Sequence, residues 1–232
     1  MSLVIAPAPA KAAAYAVKHW HYSRCLPSGR RITLGVWEGG RFAGVVIFSR
    51  GSNKNLGIRY GLTQTQICEL TRVALRSHEV PVSKIVAACL RHLKRCSPGL
   101  RLVVSFADPE RGHHGGIYQA GNWIYTGKSV PERRYLIHGT LTHARTVSPT
   151  QHGRPTGQHR SITWIRANLD PRAEVVTVQG KYRYLYPLDR AMRRQVVSLG
   201  KPYPAAEVST ATRHASGEER QVRPLQAALG AQ

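Results

Sequence analysis

Apolar and polar positions divide the chain into strand-like and helix-like stretches whose order already limits the fold. Residues 8–20, APAKAAAYAVKHW, are alanine-rich enough for a short helix starting near Pro9. ITLGVWE and RFAGVVIF are β-branched, apolar runs joined by Gly39 and Gly40, a two-residue connection suited to a hairpin with positive φ angles. After a Gly- and Asn-rich loop over 50–64, ICELTRVALRS reads as a strand with Cys68, Leu70 and Arg72 on one face and Ile67, Glu69 and Thr71 on the other. From about Ser83 to Cys96 the residues Ile85, Val86, Cys89, Leu90 and Leu93 form one stripe of a helix, with Lys84, Arg91, Lys94 and Arg95 facing solvent.

Pro98 and Gly99 end that helix, and LRLVVSFA is a nearly continuous apolar run, the pattern of a central strand buried on both faces. Asp108 stands at its end. DPERGHHGGIYQAGN is a loop and short helix, and WIYTG returns as a strand, so strand and helix alternate from residue 67 to residue 127. This is α/β order around one sheet. SITWIR, AEVVTVQ and KYRYLYPL read as three further strands, with Gly180 turning between the last two. From about Gly200 the chain turns polar, is interrupted by Pro202 and Pro204, and loses all period. The expected organisation is one domain over 1–199 and a disordered polar tail over 200–232.

Charge changes the picture more than composition does. The 232 residues carry 34 Lys plus Arg against 12 Asp plus Glu, a formal charge of +22 spread along the chain, and the natural partner is a polyanion. A membrane partner is disfavoured, because no apolar run approaches the ~18 residues of a spanning helix. The N-terminal stretch lacks a positive first region and is interrupted by Pro7 and Pro9, so no export signal is expected and the location read from the sequence is cytoplasmic. Cys25, Cys68, Cys89 and Cys96 have no CxxC spacing and fit a reducing compartment as small buried hydrophobes. Basic residues alternate with aromatics in three segments that contain Arg133, Arg134, Arg154, Arg160, Lys181 and Arg183, a composition suited to holding phosphates and stacking on bases. Tyr182, Tyr184 and Tyr186 have a period of two and could equally form the packed face of a strand.

In an open sheet, functional groups collect beyond the carboxyl ends of the strands, where Asp108 lies. Its alternative role is to cap a turn before Pro109. Ser105, three residues earlier, Tyr118 on the following helix and Arg72 on the strand next door could supply a hydroxyl, a proton donor and an anion anchor around one cleft with that carboxylate. HWHYSRC adds His19, His21 and Tyr22, and HHGG adds His113 and His114. A metal at His19 and His21 is one reading, although two positions apart in an extended stretch point to opposite sides; phosphate contact or acid–base work is another.

KHWHYSR, GVWEGGRFAGVVIFSRG, CELTRVAL, LRLVVSFADP, HHGGIYQAGNWIYTG and GKYRYLYPL together resemble the Mom family, whose members modify adenine in the DNA of Mu-like phages. The resemblance covers roughly residues 15–190, and LVVSFADP followed by HHGGIYQAGNWIYTG is its most specific part. The same region is more distantly similar to the GNAT acyltransferases, whose YxxxGF element has its counterpart in Tyr118 to Trp123. The resemblance implies a GNAT-like acyltransferase fold with a central mixed sheet flanked by helices, and a DNA modification enzyme whose product is N6-(carbamoylmethyl)adenine, which shields phage DNA from host restriction. It implies that Tyr118 protonates the departing group and that Asp108 accepts a proton from the adenine amine. Arg72 and Ser105 then line the same cleft, and Tyr22 with His21 enters from the N-terminal loop. The base would have to be flipped from the duplex to be reached.

The glycine loop with which GNAT enzymes bind the coenzyme A pyrophosphate is missing from RSHEVPVSKI, leaving the backbone N–H groups near Ser83 as the anion site. The donor is therefore either an acyl-coenzyme A or a glycyl group carried on aminoacyl-tRNA, and an iron ion is a further candidate cofactor. Glycyl transfer to N6, followed by attack of the glycyl amine on C6 with displacement of the amide, yields adenine–NH–CH2–CO–NH2 with every atom accounted for. Two competing readings are a non-catalytic basic DNA-binding phage protein and an S-adenosylmethionine-dependent N6-adenine methyltransferase. FADPE lacks the second proline and the aromatic of the methyltransferase motif.

Overall fold

The computed structural model describes residues 2–51, 53–144, 146–147 and 161–205. Strands β1 (Leu3–Pro7), β2 (Arg31–Glu38), β3 (Arg41–Ser49), β4 (Ile67–Leu75), β5 (Leu102–Ala107), β6 (Ile124–Lys128) and β10 (Tyr182–Pro187) form one seven-stranded sheet in the order β1-β2-β3-β4-β5-β10-β6. Among the described residues its only parallel pair is β4 with β5, which follows from the crossover helix α2 (Val82–Cys96) between them. The mixed α/β architecture expected from the sequence is present.

Helices cover both faces. α2 lays Ile85, Val86, Cys89, Leu90 and Leu93 on Phe48, Cys68, Leu70 and Val103, and the short α3 (Gly116–Gln119) with Trp123 extends this layer. On the opposite face α1 (Ala10–Trp20) packs Ala13, Ala16 and Val17 on Val45, Ile47 and Ala74. Beside it α5 (Arg190–Val196) packs Met192 and Val196 on Leu102, Val104 and Leu185. The two faces of β5 thus meet different helices, which is why its sequence reads as a continuous apolar run. Gly39 and Gly40 take φ angles of +57° and +78° in the β2–β3 hairpin, as their spacing predicts.

Between the neighbours β6 and β10 the chain makes an excursion. It forms β7 (Glu132–Ile137), β8 (Thr140–His143), α4 (Ile162–Asn168) and β9 (Glu174–Val178), with a second sheet in the order β8-β7-β9. This insert has a small core of its own, Val147, Ile165 and Ala173 with Tyr135 and Ile137 against them. Its two ends meet where Ser129 N donates to Lys181 O (2.8 Å) and Lys181 N donates to Ser129 Oγ (2.9 Å).

Several sequence expectations are corrected. SITWIR is not a strand: Ser161 Oγ accepts from Trp164 N and caps α4, whose Ile162, Ile165 and Leu169 share the spacing of one helical face. Strands β1, β7 and β8 and helix α5 are additional to the elements that the sequence pattern predicts. Tyr182 and Tyr184 are buried, so the tyrosines of β10 form a packed face and not a stacking surface. Lys201 to Ala205, placed in the polar tail by the sequence, run beside β6, where Lys201 N donates to Tyr125 O and Tyr203 Oη donates to Trp123 O. Residues 206–232 lie outside the described residues. All four cysteines are free, but only Cys68 and Cys89 are buried; Cys25 and Cys96 are exposed.

Candidate active site

The cleft originates in a strand irregularity. β4 and β5 pair from Ile67↔Leu102 to Leu70↔Ser105 and then part, β5 continuing against β10 alone. At the same point the pairing of β4 with β3 skips from Phe48↔Leu70 to Ile47↔Arg72, leaving Thr71 as the extra residue of a β-bulge. The bulge reverses the phase of the strand: Cys68, Leu70 and Val73 face the α2 layer, while Arg72 shares the side of Ala74, toward α1. Arg72 is therefore not on the face of Cys68 and Leu70, as strict alternation had it. Its Nε donates to the Cys25 carbonyl in the N-terminal loop (3.2 Å). Between the parted strands lies a cleft of about 760 Å³, with Glu69, Leu70, Thr71, Arg72 and Val73 on one side and Phe106, Ala107 and Asp108 on the other.

Tyr118 lines this cleft from α3, which begins after Gly115. Gly115 has a φ of +91°, and a Cβ there would lie 2.3 Å from the Tyr184 ring, so only glycine lets the helix start against β10. Buried against Trp123 and Tyr184, the Tyr118 phenol is pushed up to about 12 by loss of hydration and stays protonated at neutral pH. Fully buried Ser105 sits behind it, its Oγ 2.8 Å from Tyr118 Oη and 2.9 Å from the Leu70 carbonyl oxygen. With one hydrogen, the serine can donate to only one of them at a time.

Asp108 ends β5 at the lip of the cleft. One oxygen accepts from Glu110 N (3.1 Å), so the capping role is real; the other lies 3.5 Å from Lys181 Nζ and 3.7 Å from an Arg134 terminal nitrogen. His21 and Tyr22 enter from the loop after α1, their rings stacked at 4.3 Å, with Arg111 over Tyr22 and His113 beside it. Ser23 N donates to His21 Nδ1 (3.1 Å), which places the proton of the neutral ring on Nε2. Burial, then the nearby Arg72 and His113, lower the His21 pKa from 6.5 to about 4.

Other expected residues are placed differently. Ser83 is half-buried and does not line the cleft, whereas its neighbour Val82 does. The His19 and Tyr15 rings lie 4.4 Å apart along α1, tilted by 38°, and among the described residues no group of three or more His, Cys, Asp or Glu could hold a metal ion. Of the expected nucleic-acid contacts, Arg133 is exposed, but Arg134 and Lys181 are turned to Asp108. Arg183 is half-buried away from the cleft, its Nε donating to Thr126 Oγ1 (2.9 Å), and burial lowers its pKa. Arg154 and Arg160 lie outside the described residues. Glu69 and Glu132 also line the cleft, and sequence reasoning missed both, because a single glutamate in a strand carries no motif.

A mixed sheet that opens between its two parallel strands, with a carboxylate at the lip and a buried tyrosine below, defines an α/β protein with an inter-strand cleft. The chain belongs to the Mom protein family, whose model matches residues 2–205. It is 32% identical over 192 residues to the methylcarbamoylase Mom of Escherichia phage Mu, covering 79% of this chain and 76% of that protein. Among solved structures it is similar to the acetyltransferase YncA from Salmonella typhimurium with acetyl-CoA (13% identity, TM-score 0.43, 82% of this chain and 96% of that one). A GNAT-family acetyltransferase from Streptococcus pneumoniae is similar as well (12% identity, TM-score 0.41, 81% and 100%). These structural likenesses are too low to say anything of chemistry. Among the described residues, no helix is long and apolar enough to cross a membrane.

Proposed function

We propose that this protein is a transferase that modifies adenine in double-stranded DNA, converting it to N6-(carbamoylmethyl)adenine and so shielding phage DNA in the host cytoplasm from restriction. The observation that carries the reading is the meeting of Asp108 and Tyr118 in one cleft, in a chain 32% identical to a phage methylcarbamoylase. The N6 lone pair of adenine is conjugated with the ring, so a flipped base gains nucleophilicity only as its N–H bond is polarised. Asp108, an acceptor held at the lip, would take that hydrogen. Tyr118, protonated at neutral pH, would give a proton to the leaving group, and with the Ser105 hydrogen directed at the phenol oxygen the phenol hydrogen is free to do so. Tyr22 at the mouth, with Arg111 and His113, would stack on the base.

The donor, an acyl-coenzyme A or a glycyl group on tRNA, supplies the two-carbon unit. Past Leu70 and Ser105 the facing edges of β4 and β5 form no ladder, so their backbone groups would be free to take the amides of an extended donor arm. At the corner by Val82, the first-turn N–H groups of α2 can take an anion.

The test is mass spectrometry of nucleosides from plasmid DNA of bacteria expressing the full chain, beside Asp108→Ala. A carbamoylmethyl-adenine peak is expected from the first and absent from the second, whose DNA binding should persist; unmodified DNA from a soluble wild-type protein defeats the proposal. Feeding nitrogen-15 glycine separates the donors, since a glycyl route puts the label on the nitrogen attached to the ring.

A further inference from the structure

We infer that Arg134 is a positioning residue for the Asp108 carboxylate, with Lys181 as its counterpart, and not a contact to the DNA backbone. This rests on Asp108 acting on the base as proposed above. Arg134 reaches the end of β5 from β7 of the insert, and its side chain is only 14% exposed, against 10% for Asp108. A guanidinium so covered has little surface to offer a phosphate, whereas the buried carboxylate it faces would otherwise keep Lys181 alone as its cation. Asp108 is held on two sides: the Glu110 N–H fixes one oxygen, and the two cations fix the other from the insert and from the start of β10.

Arg134 is steadied in turn. The same terminal nitrogen lies 3.7 Å from Glu132 Oε2, which lies 3.6 Å from His143 Nε2 on β8. The chain of polar side chains His143, Glu132, Arg134 and Asp108 thus runs from the second sheet to the end of β5 and ties the insert's placement to the carboxylate's orientation. Among the described residues Arg134 Nε and Glu132 Oε2 are buried with no hydrogen-bond partner, and the two side chains meet through the 3.7 Å contact of their opposite charges. A shift of the insert would then shift Asp108's surroundings, and misplacing a reacting group by about 1 Å costs roughly 100-fold in rate.

The experiment compares wild type, Arg134→Gln, Arg134→Lys and Lys181→Met as full chains. Modified nucleoside per plasmid is measured in cells, and the affinity of the purified proteins for duplex DNA is measured over a salt series. Arg134→Gln is expected to lose roughly 100-fold in modification with affinity and salt slope as in wild type, Arg134→Lys to recover part of the loss, and Lys181→Met to lose less. The inference is overturned if Arg134→Gln binds DNA more weakly with its salt slope reduced by about 1, the signature of a lost phosphate contact. A thermal-stability cycle over Asp108→Ala, Arg134→Gln and the double variant is read beside it. Non-additive losses are expected, and additive ones overturn the pairing even where wild type leaves DNA unmodified, an outcome that by itself would refute the proposed function alone.

Discussion

The seven-stranded sheet and the insert are stabilised by different means. In the sheet, β5 is covered on both faces and Trp123, Tyr184 and Phe48 are fully buried, so position is set by packing. Among the described residues of the insert, Val147, Ile165 and Ala173 make a small core, and polar ties support it: Asp170 accepts from His138 N and Arg172 N, and Arg166 Nε donates to Ala173 O. Residues 129–180 also hold seven arginines against three acidic residues, with no lysine. The rigid region carries the groups proposed for chemistry, and the charge-rich region reaches over to them through Arg134.

The sharpest way to break this comparison is to remove the insert. Because Ser129 and Lys181 already meet, replacing 130–180 by a tight turn should leave the large sheet folded, by circular dichroism and thermal melting, while modification of plasmid DNA disappears. Failure to fold would show that the insert is integral to the core. Next in size, Tyr118→Phe should lower modification by about 100-fold or more without changing DNA affinity; an unchanged product level would remove the phenol from the reaction.

Stability separates the two regions more finely. Trp123→Ala should cost about 3–5 kcal/mol of global stability in denaturant unfolding. Ile165→Ala should instead speed hydrogen exchange in β7 and β9 while β5 keeps its protection. Equal loss of protection in both sheets would make them one cooperative unit. The smallest effect concerns His21. The unfolded ring takes up a proton below pH 6.5 and the folded one only near 4, so stability falls as pH drops through that window and the ring contributes no slope above it. His21→Gln should flatten this part of the stability–pH curve, and an unaltered slope would place the proton uptake elsewhere.

What the sequence revealed follows from which forces act locally. The β2–β3 hairpin, α2 and β5 are legible because glycine conformation, a 3.6-residue stripe and a two-sided apolar run are local signals. The phase of β4 is not, since the bulge at Thr71 depends on how β3 and β5 compete for the strand, and a period-two reading assigns Arg72 to the wrong side. SITWIR misleads because β-branched and aromatic residues suit strands, while the Ser161 cap and the spacing of Ile162, Ile165 and Leu169 point to a helix. Asp108, Tyr118, Ser105, His21 and Tyr22 could be nominated from chemistry and resemblance, but the pairing of Asp108 with Arg134 and Lys181 is long-range, and in the sequence those cations were indistinguishable from phosphate binders.

The distribution of the four free thiols gives the native chain a labelling scheme. Burial pushes Cys68 and Cys89 up to about 12, which leaves them protonated and silent toward maleimides. Cys25, whose carbonyl receives Arg72, sits beside the cleft, and Cys96 sits at the far end of α2, so both react from the surface. A fluorophore on Cys25 would report DNA arriving at the cleft, while one on Cys96 would serve as the internal reference, with no engineered cysteine required.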